Sequence, residues 1–363
     1  CVCRWLHRHG ASTDTLHWGV ACKDASRTGT VAARPDQTGF AVTSAKQSTF
    51  TPRDAGLLLL LAFLWGNSFL FIKTAVAEIP PGWVVAGRLT IGGALLVGIV
   101  AVRQLKLPTQ RRHLVALAAI GILGTAVPWT GQAWAQQSLD SGLVAVLNAT
   151  TPVATLILAV AAGIERLHTA RVVGLGVAVI GSFIIIGGEI SAGGPVMALA
   201  IAAIAPFGYG LGSVLTRREI SGKVGTLPAV ATQLCMAAMV LTLASYVVEG
   251  SPPVLSELSP LVTAALFALG LFGTGIAFII YFTLIERVGA TNASMVTYLV
   301  PIVGLAAGAV VRGERFGANV FIGAAILILG VYLAQRGPAD PLVSLPGEDS
   351  GAEIAPSHPS ASA

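Results

Sequence analysis

Between residues 55 and 335 the chain is a succession of ten apolar runs, each about 20 residues long, joined by short connectors. At about 1.5 Å of rise per residue, that length carries an α-helix across a hydrocarbon layer about 30 Å thick. The runs are 55–76, 82–102, 114–134, 142–162, 170–188, 195–215, 227–248, 261–284, 291–311 and 317–335, and Pro80-Pro81, Pro108 and Pro252-Pro253 fall in the gaps. None alternates polar and apolar residues as the strands of a closed barrel do. Composition agrees: 54% of the 363 residues are hydrophobic, 11% are charged, and the mean hydropathy is +0.79. Only 23 charged residues fall in the 281 positions from 55 to 335, too few to cover a wetted surface. Soluble enzymes, disordered proteins and disulfide scaffolds are excluded, and the fold class is all-α integral membrane.

Residues 1–54 and 336–363 hold 16 of the charges and read as disordered cytoplasmic tails. Residues 1–50 have no apolar core of signal-peptide length, and their reading frame is itself open to question because the chain starts at Cys1. Cys1, Cys3, His7 and His9 have a spacing that would suit a metal, but no compact sequence surrounds them, so no metal or other cofactor is expected. The net charge of +5 is not gathered on one face, which argues against nucleic acid as a partner. The basic residues lie between apolar runs, where they report topology. With the N-terminus inside, ten of them (Arg103, Lys106, Arg111, Arg112, Arg166, Arg171, Arg217, Arg218, Lys223 and Arg287) face inward and two (Arg312 and Arg315) outward. The expected location is the inner or plasma membrane, multi-pass, with both termini cytoplasmic.

Residues 139–184 align without gaps on 288–333 at an offset of 149. Pro152 matches Pro301, Leu156 matches Leu305, Glu165-Arg166 matches Glu314-Arg315, Gly174 matches Gly323 and Gly181 matches Gly330. Hydrophobicity does not dictate Pro, Glu-Arg or Gly, so the pattern says more than the number of identities. Five spans per copy is odd, which predicts two inverted five-helix repeats, residues 55–188 and 195–335. It also explains why Arg315 departs from the charge rule. Inverted repeats are a frequent construction of alternating-access carriers, with the cargo between the halves. Gly304 and Gly308, matched by Thr155 and Ala159, suit close helix contact. Pro152 and Pro301 remove a backbone donor in mid-span and are candidate hinges, or alternatively static kinks.

Several stretches together resemble one family. Leu64-Trp65-Gly66-Asn67-Ser68-Phe69 opens the first span and Arg88-Leu89 lies early in the second. Pro152 with Glu165-Arg166 recurs as Pro301 with Glu314-Arg315. Residues 55–335 are similar to the drug/metabolite transporter superfamily, specifically its EamA-type ten-helix carriers. The resemblance implies an inner-membrane carrier, most often an exporter of amino acids or other small metabolites. The second half has Phe207-Gly208-Tyr209-Gly210 where a second Trp-Gly motif is expected, a departure that leaves the symmetry of the site open.

Polar groups within spans are the candidates for substrate binding, because they are costly there unless they face the bundle interior. They are Asn67, Ser68, Arg88, Trp129 and Gln132, with Asn148, Thr151, Tyr209, Gln233, Tyr281, Thr297 and Tyr298 as weaker ones of the same kind. For Asn67 and Ser68 the alternative is an interhelical hydrogen bond that only holds the bundle. Arg88 is the sole ionisable residue well inside a span and needs an anion or its equivalent: a substrate carboxylate, helix-end carbonyls, or Glu78 or Glu189. Snorkelling to the headgroups is its other option. Lys73 and Trp134 read as interface anchors. No Asp or Glu sits in the middle of a span, which disfavours proton antiport through a buried carboxylate.

Three rivals to a carrier fare worse. A membrane enzyme would need a catalytic motif such as His-Glu-x-x-His or Gly-x-Ser-x-Gly, and a primary pump would need a phosphate-binding loop; none occurs. A channel is harder to dismiss, and broad-specificity drug efflux is the other alternative. The expected partners are a small-molecule substrate, the lipid bilayer and, as an open option, a second copy of the chain in a homodimer.

Overall fold

The structure is a computed structural model that describes residues 51–165 and 168–335, with the side chains of residues 290 and 291 excepted. Of the tails expected over residues 1–54 and 336–363, residues 1–50, with the Cys1–His9 cluster, and 336–363 lie outside the described residues, as does Arg166.

Ten apolar helical segments account for most of the described chain: α1 (Pro52–Ala75), α2 (Pro81–Val102), α3 (Arg111–Ala135), α4 (Ser141–Ala161), α5 (Thr169–Ser191), α6 (Val196–Glu219), α7 (Thr226–Glu249), α8 (Pro260–Gly289), α9 (Val296–Arg312) and α10 (Ala318–Gln335). Nine are long and apolar enough to cross a membrane, and α9, with 17 residues, falls just short. Among the described residues there is no β-strand in the body of the fold. The protein is an all-α, multi-span membrane protein.

Local chemistry sets the helix ends and corrects several boundaries. α1 starts at Pro52, inside the stretch assigned to the tail, because Thr51 and Asp54 form a reciprocal capping box ahead of the apolar run. α4 is not continuous: it pauses at Ala149–Thr150, where the hydroxyls of Thr150 and Thr151 donate to the carbonyls of Leu147 and Asn148 at 2.8 and 2.7 Å. Pro152 stands in the first turn after that pause, where its missing N–H leaves no helical bond unmade. Pro301, by contrast, is inside continuous helix. α9 begins at Val296 rather than at residue 291: Gly289, with a φ of +82°, kinks the preceding helix, which resumes as far as Ala293, and a turn at Ser294-Met295 then separates it from α9.

The bundle is built from contacts between halves. α2 packs along α7, α4 along α9, and α5 along α10. α1 lies against α8 and α9, while α6 lies against α3 and α4; α2 also meets α8, and α7 meets α3. Exchanging each helix for the one five places on turns this set of neighbours into itself, so the halves are related by a pseudo-two-fold rotation. Consecutive spans run in opposite directions, hence partners five apart do too. The sequence-matched glycines line the seam between α5 and α10. An added Cβ at Gly330 would stand 2.7 Å from the Gly174 carbonyl oxygen, and one at Gly323 the same distance from that of Gly181. Only glycine lets α5 and α10 approach so closely.

Candidate functional site

Arg88 of α2 meets α8 and α3 directly, and α4 and α6 join the cluster through Gln132. Its position in α2 is 6% exposed, and Nε donates to Thr274 Oγ1 of α8 at 2.8 Å. One Nη2 hydrogen points at the Gly273 carbonyl oxygen, 3.4 Å away, and the guanidinium lies 3.5 Å over the Trp129 ring of α3. That carbonyl is available because α8 widens into a π-helical stretch at Leu271–Ile276, which displaces the regular backbone ladder. Thr274 Oγ1 in turn donates to the Leu269 carbonyl at 3.1 Å. One turn beyond Trp129, Gln132 donates to Asn148 Oδ1 of α4 at 2.6 Å and accepts from the Tyr209 hydroxyl of α6 at 3.0 Å. Trp129 and Gln132 are buried, whereas Asn148 and Tyr209 are half-buried. The cluster thus runs from a closed cationic end at Arg88 to a more open neutral end.

The structure therefore gathers Arg88, Trp129, Gln132, Asn148 and Tyr209 into one site and adds Thr274. Neither Glu78 nor Glu189 neutralises Arg88. Glu78 accepts the Ser259 N–H at 2.8 Å, which holds its carboxyl below the usual range, and Glu189 accepts from Asn319 at 3.0 Å. Among the described residues no carboxylate pairs with Arg88; a ring face, a hydroxyl and a carbonyl do the work instead.

Four candidates stay outside this hydrogen-bond network, Ser68 at its border. Asn67 and Ser68 each donate to their own helix, to Phe63 and Leu64 carbonyls at 2.8 Å, and Ser68 packs against Gly273. Thr297 likewise turns back to the Ser294 carbonyl. Tyr281 stacks beside Trp65 with ring centroids 5.2 Å apart, and Phe278 is 6.3 Å from the same Trp65. At the offset of 149, Phe278 and Tyr281 are the partners of Trp129 and Gln132. Gly66 lies against Gly304 of α9, a Cβ there being 3.7 Å from the Gly66 carbonyl oxygen, and Gly210 lies against Thr155, the matching residue of α4. Tyr209-Gly210 is thus the second copy of Trp65-Gly66, and the apparent departure in the sequence is a substitution of one aromatic for another.

The remaining charges close the ends of the bundle. Glu314 accepts from the Ser141 N–H (2.9 Å), the Ser141 hydroxyl (2.8 Å) and the Gly142 N–H (3.0 Å), so a carboxylate from the α9–α10 connection caps the N-terminus of α4. Lys73 donates to the carbonyls of Gln136 and Leu139 at 2.7 and 2.8 Å, tying α1 to the end of α3 rather than serving only as an interface anchor. Beside them Asp140 is pushed above the usual carboxylate range by burial first and by the Glu314 charge second. Trp134 is 41% exposed, as an interface residue should be. Thr274 carried no signal in a composition-based reading, but a repeat-based one reaches it: continued upstream, the alignment pairs Gly124-Thr125 with Gly273-Thr274.

Comparison with known proteins decides the family. The model of the EamA-like transporter family matches twice, over residues 55–187 and 196–335. The chain belongs to the EamA-like transporter family. Among relatives of this EamA protein, the "Uncharacterized inner membrane transporter YedA" of Escherichia coli (strain K12) is 30% identical over 303 residues, covering 82% of this chain and 97% of that one. A "Probable amino-acid metabolite efflux pump" from the same organism is 24% identical, covering 77% of this chain and 94% of the other. A solved structure titled "Crystal structure of protein" superposes with a TM-score of 0.55 at 20% identity over 78% of this chain and 96% of its own, a likeness of fold. This EamA protein is a multi-pass membrane transporter.

Proposed function

We propose that the protein is a secondary carrier that exports a small metabolite bearing a carboxylate, an amino acid being the simplest case, by alternating access between its two halves. Both termini are cytoplasmic in this reading, on the strength of the excess of Lys and Arg in the connections on that side. Substrate-binding roles fall to Arg88, Trp129, Gln132, Asn148 and Tyr209. One chain suffices, since both halves and every one of these residues belong to it.

The observation that carries the reading is the buried guanidinium without a counter-anion. A desolvated cation costs several kcal/mol, which a ring face at about 2 kcal/mol and charged hydrogen bonds at about 1.5–3 each can offset, but these neutral partners leave the positive charge itself without an opposite one. A carboxylate entering beside Arg88 completes the compensation, and the Gln132–Asn148–Tyr209 network offers an amide and a hydroxyl to the rest of a polar cargo. The relative named as an amino-acid metabolite efflux pump supports the same cargo class.

The test is counterflow in proteoliposomes with a panel of 14C-labelled amino acids, each paired with the amine left by removing its carboxylate. The wild type should exchange at least one amino acid at least tenfold faster than the matching amine, and Arg88→Gln should erase that preference. If the wild type exchanges acids and amines alike, or if Arg88→Gln keeps the preference, the carboxylate reading falls. Sustained single-channel conductance would reject a carrier in favour of a pore.

A further inference from the structure

Arg88 has a structural counterpart that the binding reading does not use. α3, like α8, opens into a π-helical stretch, at Ile122–Ala126, and this stretch matches Leu271–Ile276 at the repeat offset of 149. Each contains a Gly-Thr pair, Gly124-Thr125 and Gly273-Thr274. Thr274 accepts from Arg88 of α2, and Thr125 accepts from Gln233 Nε2 of α7 at 2.9 Å. Arg88 is seven residues from the start of α2 at Pro81, and Gln233 is seven residues from the start of α7 at Thr226. Each donor therefore belongs to one half of the repeat and each accepting threonine to the other. The backbones are close at both crossings: a Cβ at Gly92 would stand 2.6 Å from Thr274 Cγ2, and one at Gly121 would stand 2.7 Å from the Gln233 carbonyl oxygen.

A π-helical stretch has wider turns and poorer backbone bonds than the α-helix around it, so a helix bends there with least loss. A rocking motion of two halves needs such points where helices of one half cross the other. The expected hinges, Pro152 and Pro301, are not equivalent in the fold, because one follows a pause in α4 and the other is inside continuous helix. The two π stretches are equivalent, and each is pinned from across the interface by a single side chain.

We propose that Gln233 and Arg88 are a matched pair of positioning residues, each fixing through one threonine the π-helical hinge of the opposite half, and that α3 and α8 flex at these hinges during transport. The pair is chemically unequal. Gln233 is neutral and serves the hinge alone, whereas Arg88 joins its hinge to the cargo's charge. Cargo binding at Arg88 therefore acts directly on the π stretch of α8, whereas on α3 it acts at Trp129 and Gln132, beyond that helix's π stretch. The proposal rests on alternating access, and its hinge element is independent of the cargo.

Hydrogen–deuterium exchange on the full chain in lipid nanodiscs tests the hinge without any substrate. Thr125→Val, which keeps shape and loses the hydroxyl, should raise exchange across residues 120–127 at least fivefold and leave 271–277 unchanged, while Thr125→Ser should match the wild type. Thr274→Val should do the reverse. Counterflow of a 14C-labelled mixture of the twenty protein amino acids tests the positioning role: Gln233→Met should lower Vmax at least fivefold with KM within twofold. Gln233→Met removes the donor and leaves the Thr125 side chain in place, so it tests the same contact as Thr125→Val from the other side. Unchanged exchange in both threonine-to-valine variants, or wild-type Vmax in Gln233→Met, overturns the proposal. A wild type that moves none of the mixture counts against the carboxylate cargo instead, and the exchange measurement then decides the hinge by itself.

Discussion

Replacing Gly330 by alanine puts one methyl group where two backbones already touch. The new Cβ would stand 2.6 Å from Ala178 Cα and 2.7 Å from the Gly174 carbonyl oxygen. Carbon atoms in van der Waals contact are about 3.5–4.0 Å apart, so α10 must retreat from α5 by about 1 Å. No side chain can rotate aside, because the obstructing atoms are backbone. The retreat also opens the contacts at Gly174, Gly181 and Gly323, which share the seam. Overpacking a tight interior costs about 1–3 kcal/mol, and rigid obstruction places this case near the upper end. Alanine returns up to about 1 kcal/mol of helix propensity, for a net loss of about 2 kcal/mol. Gly176 on α5 supplies the control: it has nothing within 4 Å of its Cβ position, so Gly176→Ala should gain the propensity and lose nothing. The two variants should thus differ by about 3 kcal/mol, or roughly 4 °C in melting temperature for a protein of this size. Thermal unfolding followed by fluorescence-detected size exclusion in a single detergent measures the difference. Equal melting temperatures, or a more stable Gly330→Ala, would refute the account of how α5 and α10 are joined.

Two further predictions concern the end of the bundle sealed by Glu314. Glu314→Gln replaces a carboxylate that faces two N–H groups and a hydroxyl with an amide whose own N–H₂ opposes them, and should cost roughly 2 kcal/mol of stability, read as a lowered melting temperature. Asp140, being raised, is harder to ionise in the folded protein than in the unfolded chain, so its charge opposes folding above the raised value. That opposition disappears as pH falls through the ordinary carboxylate range and both states become protonated. Asp140→Asn should therefore melt higher than the wild type at pH 7, with the advantage shrinking toward pH 4. A constant difference across that interval would show that the Asp140 charge is not the cause.

The spans could be read from the chain because burial in lipid imposes one requirement, a helix about 20 residues long that satisfies its own backbone. Their ends were less legible, since they depend on particular atoms: the Thr51–Asp54 box that starts α1 early, and the turn at Ser294-Met295 that delays α9. Of the candidate site, Arg88, Trp129, Gln132, Asn148 and Tyr209 do meet. Asn67, Ser68 and Thr297 are polar residues at similar depths that satisfy themselves within their own helices. A serine or asparagine can always reach the carbonyl four residues back, so polarity inside a span does not by itself say which way the group turns.

Amino-acid order alone determined that this chain lives in a bilayer, that it crosses about ten times, and that its halves are copies, because hydrophobic length and repeated Pro, Gly and Glu-Arg are local properties of the string. Which residues confront one another across the halves was decided only by tertiary packing. Arg88 finds Thr274 and Gln233 finds Thr125 over separations of 186 and 108 residues. Tyr209 takes the place of a tryptophan opposite Gln132. Those meetings depend on helix rotation and on the extra width of two π-helical turns, and neither leaves a mark on hydropathy.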